Sequence, residues 1–430
     1  MIHSSRCRSF SAGSIFIAFL AFGHTVLTPA GTLCYPPRQE APAAAELTPE
    51  QWAEDLDFLG AELPKRHKNL FHKIKESEFR AQIETLKTKL PSLSQSEILA
   101  GLMGIIAAVG DSHTTLGYRP RQGLPLMLYW FKDGISILNT TAEYRDILNG
   151  KISALGGKPI EDIIPILAAL IPHENQAQVK NILPNLLTDT VMLSGAGIIP
   201  SPDTAFLTVL TAAGRAVTLD MTPVSFSSKP EWLVDVSDES GAPLYLRNRR
   251  LYYWFEILPG SRTLFFKYNS CQNMNGRPFG DFVKVLFDAA DTGKVSRIVI
   301  DLRHNGGGNS GIFAPFLAEL KKRPAFCREG GIYVLVGRRT FSSAILNALD
   351  LKKETPAVFA GEPTGGKPNH YGEVQMFLLP QSGLAVTYSV KYFRVVGGDP
   401  DSLMPDLLVE PELADYLQKT DPVLERVLKE

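Results

Sequence analysis

Ser342, Lys367 and His113 have the residue types and the surroundings for attack on an acyl group. Ile332 to Val336 is a short apolar run rich in β-branched residues, the length of one buried strand, and it stops at Gly337. Phe341-Ser342-Ser343-Ala344 opens a helix-like stretch, so Ser342 falls at a strand-to-helix junction. The first N–H groups of a helix have no partner inside it. A hydroxyl there can attack a carbonyl while neighbouring amides hold the developing oxyanion. Lys367 follows 25 residues later in the glycine-punctuated turn Gly361-Glu362-Pro363-Thr364-Gly365-Gly366-Lys367. Its amine can be a general base only if burial keeps it neutral. His113, in Asp111-Ser112-His113-Thr114-Thr115, has the pKa range usual for the base of a serine. Each motif alone also has an ordinary reading, as a cap, a solvated turn or a polar loop.

These residues need elements to position them. Residues 35 to 47, rich in Pro and Ala, read as a linker. Thr48-Pro49-Glu50-Gln51 is a capping box with proline at the first helical position, and Trp52, Leu56, Leu59 and Leu63 follow at helical spacing. A second helix is predicted from about Ser77, with Phe79, Ile83, Leu86 and Leu90 on one face, and a third from the Ser94 to Glu97 capping box to Gly110. Short β-rich runs such as 135–138 and 206–210 fill residues 124 to 225. From about 245 strands and helices alternate: a strand at 263–268, a helix at 279–290, a strand at 297–302, a helix at 312–320 and the strand before Ser342. That alternation predicts an α/β domain with a mostly parallel sheet. Asn305-Gly306-Gly307-Gly308 then lies just past a strand end, where such sheets place their ligands. Three glycines permit close backbone approach, and an N–H there can join that of Ser343 in an oxyanion hole. A phosphate loop is the other reading, but the Gly-Lys-Ser/Thr ending is missing.

Taken together, Thr340-Phe341-Ser342-Ser343-Ala344, Gly361 to Lys367, and Ile300-Asp301-Leu302-Arg303-His304-Asn305-Gly306-Gly307-Gly308-Asn309 resemble the catalytic core of the S41 serine peptidases. These are the C-terminal processing (tail-specific) and tricorn-like group. The resemblance implies a ClpP/crotonase-like core at 241–420, with Ser342 as nucleophile and Gly306 or Gly307 with Ser343 at the oxyanion. It extends to Gly110-Asp111-Ser112-His113-Thr114, which is similar to the tricorn-like segment carrying a catalytic histidine beside a serine. Residues 146 to 160 resemble part of a PDZ-like module, which would bind a peptide as an added strand. The expected organisation is therefore a small helical domain at 48–115, a β-rich, PDZ-like middle region at 116–240, and the peptidase core.

The two branches of the group differ in the base. Processing peptidases pair the serine with a lysine and carry glutamine four residues after it, where this chain has Tyr371. Tricorn-like peptidases use a histidine, a neighbouring serine and a downstream acid, for which His113, Ser112 and Asp399 stand in comparable places, with Asp401 as the alternative acid. Lys367 is the preferred base, because its spacing from Ser342 and its Gly-Gly-Lys context match without a gap.

The 430 residues carry a formal charge of −1, with 44% hydrophobic and 21% charged residues. That composition fits a soluble globular protein and gives no electrostatic case for nucleic acid as a partner. No Cys/His spacing resembles a zinc site, and neither metal nor cofactor is expected. Arg6 and Arg8, the apolar run 14–22 and Thr28-Pro29-Ala30 read as a signal peptide over residues 1–30. An exported protein with no stable membrane span after cleavage follows, and in an oxidising compartment Cys271 and Cys327 are the candidate disulfide pair. The reading is an exported serine peptidase acting on peptides or proteins. The alternatives are a catalytically weak relative that binds peptides through its middle region, and a crotonase-like acyl-CoA enzyme, against which the Ser342 motif argues.

Overall fold

A computed structural model describes residues 47–227, 230–235, 239 and 241–430. The expected signal peptide, and the linker up to residue 46, lie outside these residues. The described residues open with α1 (Pro49–Arg66), α2 (Glu76–Lys89) and α3 (Gln95–Ala107). Both capping boxes form: Thr48 accepts from the Gln51 N–H while Gln51 reaches back to the Thr48 N–H, and Ser94 and Glu97 do the same. Leu56, Leu59 and Leu63 of α1 are fully buried against Phe79 and Ile83 of α2 and Leu102 of α3. Each such leucine contributes about 2 kcal/mol by leaving water.

The middle region is an antiparallel sheet in the order β1 (Leu126–Phe131), β2 (Gly134–Thr140), β3 (Lys151–Leu155), β4 (Ala205–Leu210), β5 (Ala216–Met221). Between β3 and β4 run α4 (Ile160–Ala168), α5 (Gln176–Leu186) and α6 (Thr190–Gly195), whose Ile163, Leu167, Val179, Leu183 and Met192 close one core with Ile137 and Leu207. Residues 146–160 supply β3, a short strand at Lys158–Pro159 and the start of α4. The fold does not confirm their PDZ-like resemblance.

The third region is the α/β core. Its strands are β6 (Tyr253–Leu258), β7 (Thr263–Tyr268), β8 (Arg297–Asp301), β9 (Ile332–Val336), β10 (Val358–Gly361) and, after the hairpin below, β13 (Leu407–Leu408). They lie side by side as β13-β10-β9-β8-β7-β6, all parallel except β6. Helices α7 (Phe279–Thr292), α8 (Ala314–Lys321) and α9 (Ser343–Glu354) cover one face; after a short α10 (Leu413–Leu417), α11 (Pro422–Leu428) covers the other. This two-sided cover explains why β9 reads as an unbroken apolar run: Ile332, Val334 and Val336 pack on the α7–α9 side, Tyr333 and Leu335 on the α11 side.

One part of this region joins a different core. The hairpin of β11 (His370–Leu378) and β12 (Ala385–Phe393) places Phe377, Leu379, Val386 and Tyr388 among the N-terminal helices, and the buried Asp55 carboxylate of α1 accepts the Gln381 and Ser382 amides at its turn. No helix among the described residues is long and apolar enough to cross a membrane.

The Cys271–Cys327 disulfide does not form; both thiols are free. Cys271 is fully buried beside the side chains of Asn305 and Asn347, whereas Cys327 is exposed in the loop after α8. A thiol reagent should therefore modify Cys327 in the native protein and Cys271 only after unfolding. Mapping the alkylated peptides before and after denaturant checks this, and native labelling of Cys271 would contradict it.

Candidate active site

The chain turns sharply between β9 and α9, and Ser342 takes the turn with φ 51° and ψ −127°. An L-residue in that conformation costs about 1–3 kcal/mol, so its surroundings must impose it. They do so from both sides. The Thr340 hydroxyl donates to the Leu302 carbonyl at 2.9 Å and accepts from the Gly337 N–H at 3.0 Å, while the Phe341 N–H donates to the Asn305 carbonyl at 3.1 Å. The Ser343 hydroxyl donates to the Gly308 carbonyl at 2.6 Å. Ser343 is thus committed to holding the turn, whereas the half-buried Ser342 makes no side-chain capping bond.

The glycine loop lies directly against this turn. A Cβ added at Gly307, whose φ is 105°, would fall 2.8 Å from Ser342 Cβ and 3.0 Å from the Ser343 nitrogen. Only glycine permits that approach. The Gly307 N–H donates to Asn305 Oδ1 at 2.9 Å, and the Cys271 thiol donates to the same oxygen at 3.5 Å. Of the two glycines expected at an oxyanion hole, Gly307 therefore has its amide turned onto Asn305, and Gly306 is the exposed one.

His113 comes to this turn from the other end of the chain. Its buried ring stacks on Phe341 at 4.5 Å, and a run of near-parallel rings continues through His370 at 5.7 Å to Phe393. Asp111 anchors the loop. Its carboxylate accepts the His113 N–H, the Thr114 and Ser389 hydroxyls, and His67 Nε2, while His67 Nδ1 accepts the Asn69 N–H. Those two contacts fix His67 as the neutral Nε2–H tautomer. Burial alone would raise the Asp111 pKa, but the His67 bond, nearby His113 and the hydroxyl donors hold it well below the usual carboxylate range. Asp111 Oδ1 lies 3.8 Å from His113 Nδ1, so this anionic carboxylate faces the imidazole.

Lys367 and Asp399 find each other instead. Lys367 Nζ lies 2.6 Å from Asp399 Oδ2 and 3.9 Å from Asp401 Oδ1. Partial burial would lower the lysine pKa, but the Asp399 bond, with Glu174 and Asp401 behind it, raises it. This is the reverse of what a neutral lysine base needs, and Asp399 is engaged with that lysine rather than completing a histidine arrangement. Ser112 turns away from the ring stack and donates to Glu174 Oε2 at 3.0 Å. Burial, helped by the charge of Asp111, pushes Glu174 up to about 8, against the Ser112 bond and the charges of Lys367 and Lys73. A cavity of about 450 Å³ opens beside it, lined among others by Lys73, Glu174, Lys180, Arg338 and Asp401.

Ser342, Ser343, Gly306, Gly307 and His113 thus gather at one turn, with Ser112, Lys367 and Asp399 in an adjoining charged cluster. Sequence reasoning missed Glu174, His370 and the His67–Asp111 pair. Nothing in Pro172-His173-Glu174-Asn175 marks a site, since it reads as the turn before a helix capped by Asn175. Among the described residues, no group of three or more His, Cys, Asp or Glu side chains is placed to hold a metal ion.

The elevated Glu174 pKa has a consequence for stability. The folded state keeps the proton up to about pH 8 and the unfolded chain releases it near 4.5, so stability falls as pH rises through that window. Glu174→Gln should remove this slope, gaining on the wild type from pH 4.5 to 8. Urea midpoints measured across that range check it, and parallel curves for the two proteins would refute the assignment.

No family model matches the chain. Solved structures do. Mature CPAF complexed with lactacystin aligns over 89% of this chain and 97% of its own, with a TM-score of 0.62 at 13% identity; mature CPAF alone gives the same score over 96% of its chain. A photosystem II D1 C-terminal processing protease covers 89% of this chain at 14% identity, with a TM-score of 0.38. The CPAF likeness, at such low identity, speaks for fold alone. The shared fold is an α/β core on a mostly parallel sheet, preceded by helical and β-rich regions.

Proposed function

We propose that the protein is an exported serine peptidase of the S41 type that cleaves peptide bonds through an acyl-enzyme on Ser342. The observation that carries this reading is the left-handed backbone of Ser342, packed against Gly307 at a strand-to-helix turn. Strain of this kind presents a hydroxyl above the sheet edge and leaves the first amides of α9 facing it. In the proposed reaction Ser342 Oγ attacks the scissile carbonyl and His113 takes its proton. The Ser343 and Gly306 N–H groups hold the oxyanion. His113 then protonates the leaving amine, and water repeats the sequence on the acyl-enzyme.

His113 replaces Lys367 as the favoured base. A charged ammonium paired with Asp399 cannot accept a proton, whereas an imidazole facing the Asp111 carboxylate can, and can bear the charge it acquires. Lys367 and Asp399 are then electrostatic neighbours of Ser112 and Glu174. Ser342→Ala should abolish both peptide turnover and labelling by a fluorophosphonate or by lactacystin, the compound bound in the CPAF structure. The loss should be several orders of magnitude. His113→Ala should match it, while Lys367→Met should cost about tenfold or less. A dead Lys367→Met beside an active His113→Ala would overturn the choice of base.

Export rests on the apolar N-terminal run and on Thr28-Pro29-Ala30. N-terminal sequencing of the processed protein should begin near Gly31, outside the cytoplasm. Finding Met1 retained in a cytosolic pool would remove that part of the proposal.

A further inference from the structure

Three arginines sit at the carboxyl edge of the core sheet, and the fold treats them differently. Arg303 forks onto Asp301 and Asp421 with four bonds of 2.7 to 3.1 Å. Arg338 donates twice to Glu362, at 2.8 and 2.5 Å, and once to the Trp130 carbonyl. Arg339, three residues before Ser342, is partly buried, yet among the described residues it has no hydrogen bond, ion pair or ring contact. Its titratable neighbours are Arg249, a second cation, and the neutral phenol of Tyr129 of β1, and it adds to the positive field on His304 of the glycine loop.

A guanidinium has five donors in a planar fork, and withdrawing it from water without acceptors is unfavourable. An arginine at the open surface meets no such cost. Arg339 is partly withdrawn from water with another cation nearby, although the same sheet edge supplies carboxylates to both of its arginine neighbours. Part of its surface remains open to solvent, so an incoming acceptor can reach it. Tyr129 and His304 set it between the middle sheet and the glycine loop. Three residues of chain span at most about 10 Å, so the Arg339 backbone lies close to Ser342 and its side chain starts beside that turn.

We propose that Arg339 recognises a carboxylate of the peptide substrate within a few residues of the cleaved bond, so that the enzyme selects acidic sequences. This rests on the peptidase reading and names its substrate class. Arrival of the carboxylate completes the fork that the protein leaves open, forming charge-assisted bonds at a site partly shielded from bulk water.

The test uses fluorescein-labelled alanine-rich decapeptides with one glutamate moved along the chain, their glutamine twins, and each with a free or an amidated C-terminus. With the full-length protein, glutamate should raise kcat/KM over glutamine about tenfold or more at one position. Arg339→Gln should collapse that ratio, Arg339→Lys should restore part of it, and Arg339→Glu should turn the preference toward lysine. A preference abolished by amidation instead of by the glutamine exchange would identify the carboxylate as the terminal one. A glutamate-to-glutamine ratio that survives in Arg339→Gln overturns the proposal. If the wild type cleaves none of these peptides, the peptidase reading fails separately. Fluorescence anisotropy of the same pairs then decides Arg339: weaker binding of the acidic peptide by Arg339→Gln sustains its role, and equal binding removes it.

Discussion

The contact on which the site depends is the packing of Gly307 against Ser342. A serine with a positive φ is unstable by itself, and no local sequence preference produces it. It persists because β8 and β9 are neighbouring parallel strands whose ends deliver the glycine loop and the Ser342 turn to the same place. The bonds from Thr340 to Leu302, Phe341 to Asn305 and Ser343 to Gly308 then link the two turns along their length. Each of these partners is a backbone carbonyl, so the geometry follows from the register of the sheet and not from a particular side chain on the loop. The core exists, in this sense, to hold two turns against each other.

Charge is distributed around that centre with a consistent logic. Several ionisable groups removed from solvent are paired: Lys267 with Asp301, Arg303 with Asp301 and Asp421, Arg338 with Glu362, and His67 with Asp111. Buried pairs of this kind add little net stability over apolar packing, but losing one partner is costly, which makes them fixed points of the architecture. Asp111 is the most connected of them. It ties α1's C-terminal turn, the His113 loop and β12 together, and so sets the height of His113 over Phe341.

What could be read in the sequence was whatever the chain decides locally. The two capping boxes, the apolar stripe of α1 and α2, the β9 run and the serine at its end depend on residues a few positions apart, and all appear as expected. The meeting of the Ser342 and glycine-loop motifs was also legible, because parallel strands bring successive loops to one edge. What was missed lies in pairings between distant segments. Lys367 and Asp399 were assigned to competing mechanisms and instead neutralise each other. Glu174 gained its place only when the turn before α5 packed beside Ser112, and the cysteines were paired by arithmetic although one faces the interior and the other solvent. The hairpin β11–β12 belongs by sequence to the core and by packing to the N-terminal helices, a distinction that hydrophobic pattern cannot draw.

That hairpin also sets a timetable. His113 is made early, but the partners of its loop, Phe341 under its ring, His370 beside it and Ser389 and Thr387 bonded to the segment around it, are all synthesised in the last third of the chain. The N-terminal helices remain without part of their core until Phe377 and Val386 arrive. Contacts so distant in sequence form late, because loop-closure entropy must be overcome before they give any return. A nascent or truncated chain accordingly holds the serine turn and the histidine loop as separate pieces, and the two come into register only when the C-terminal segment docks.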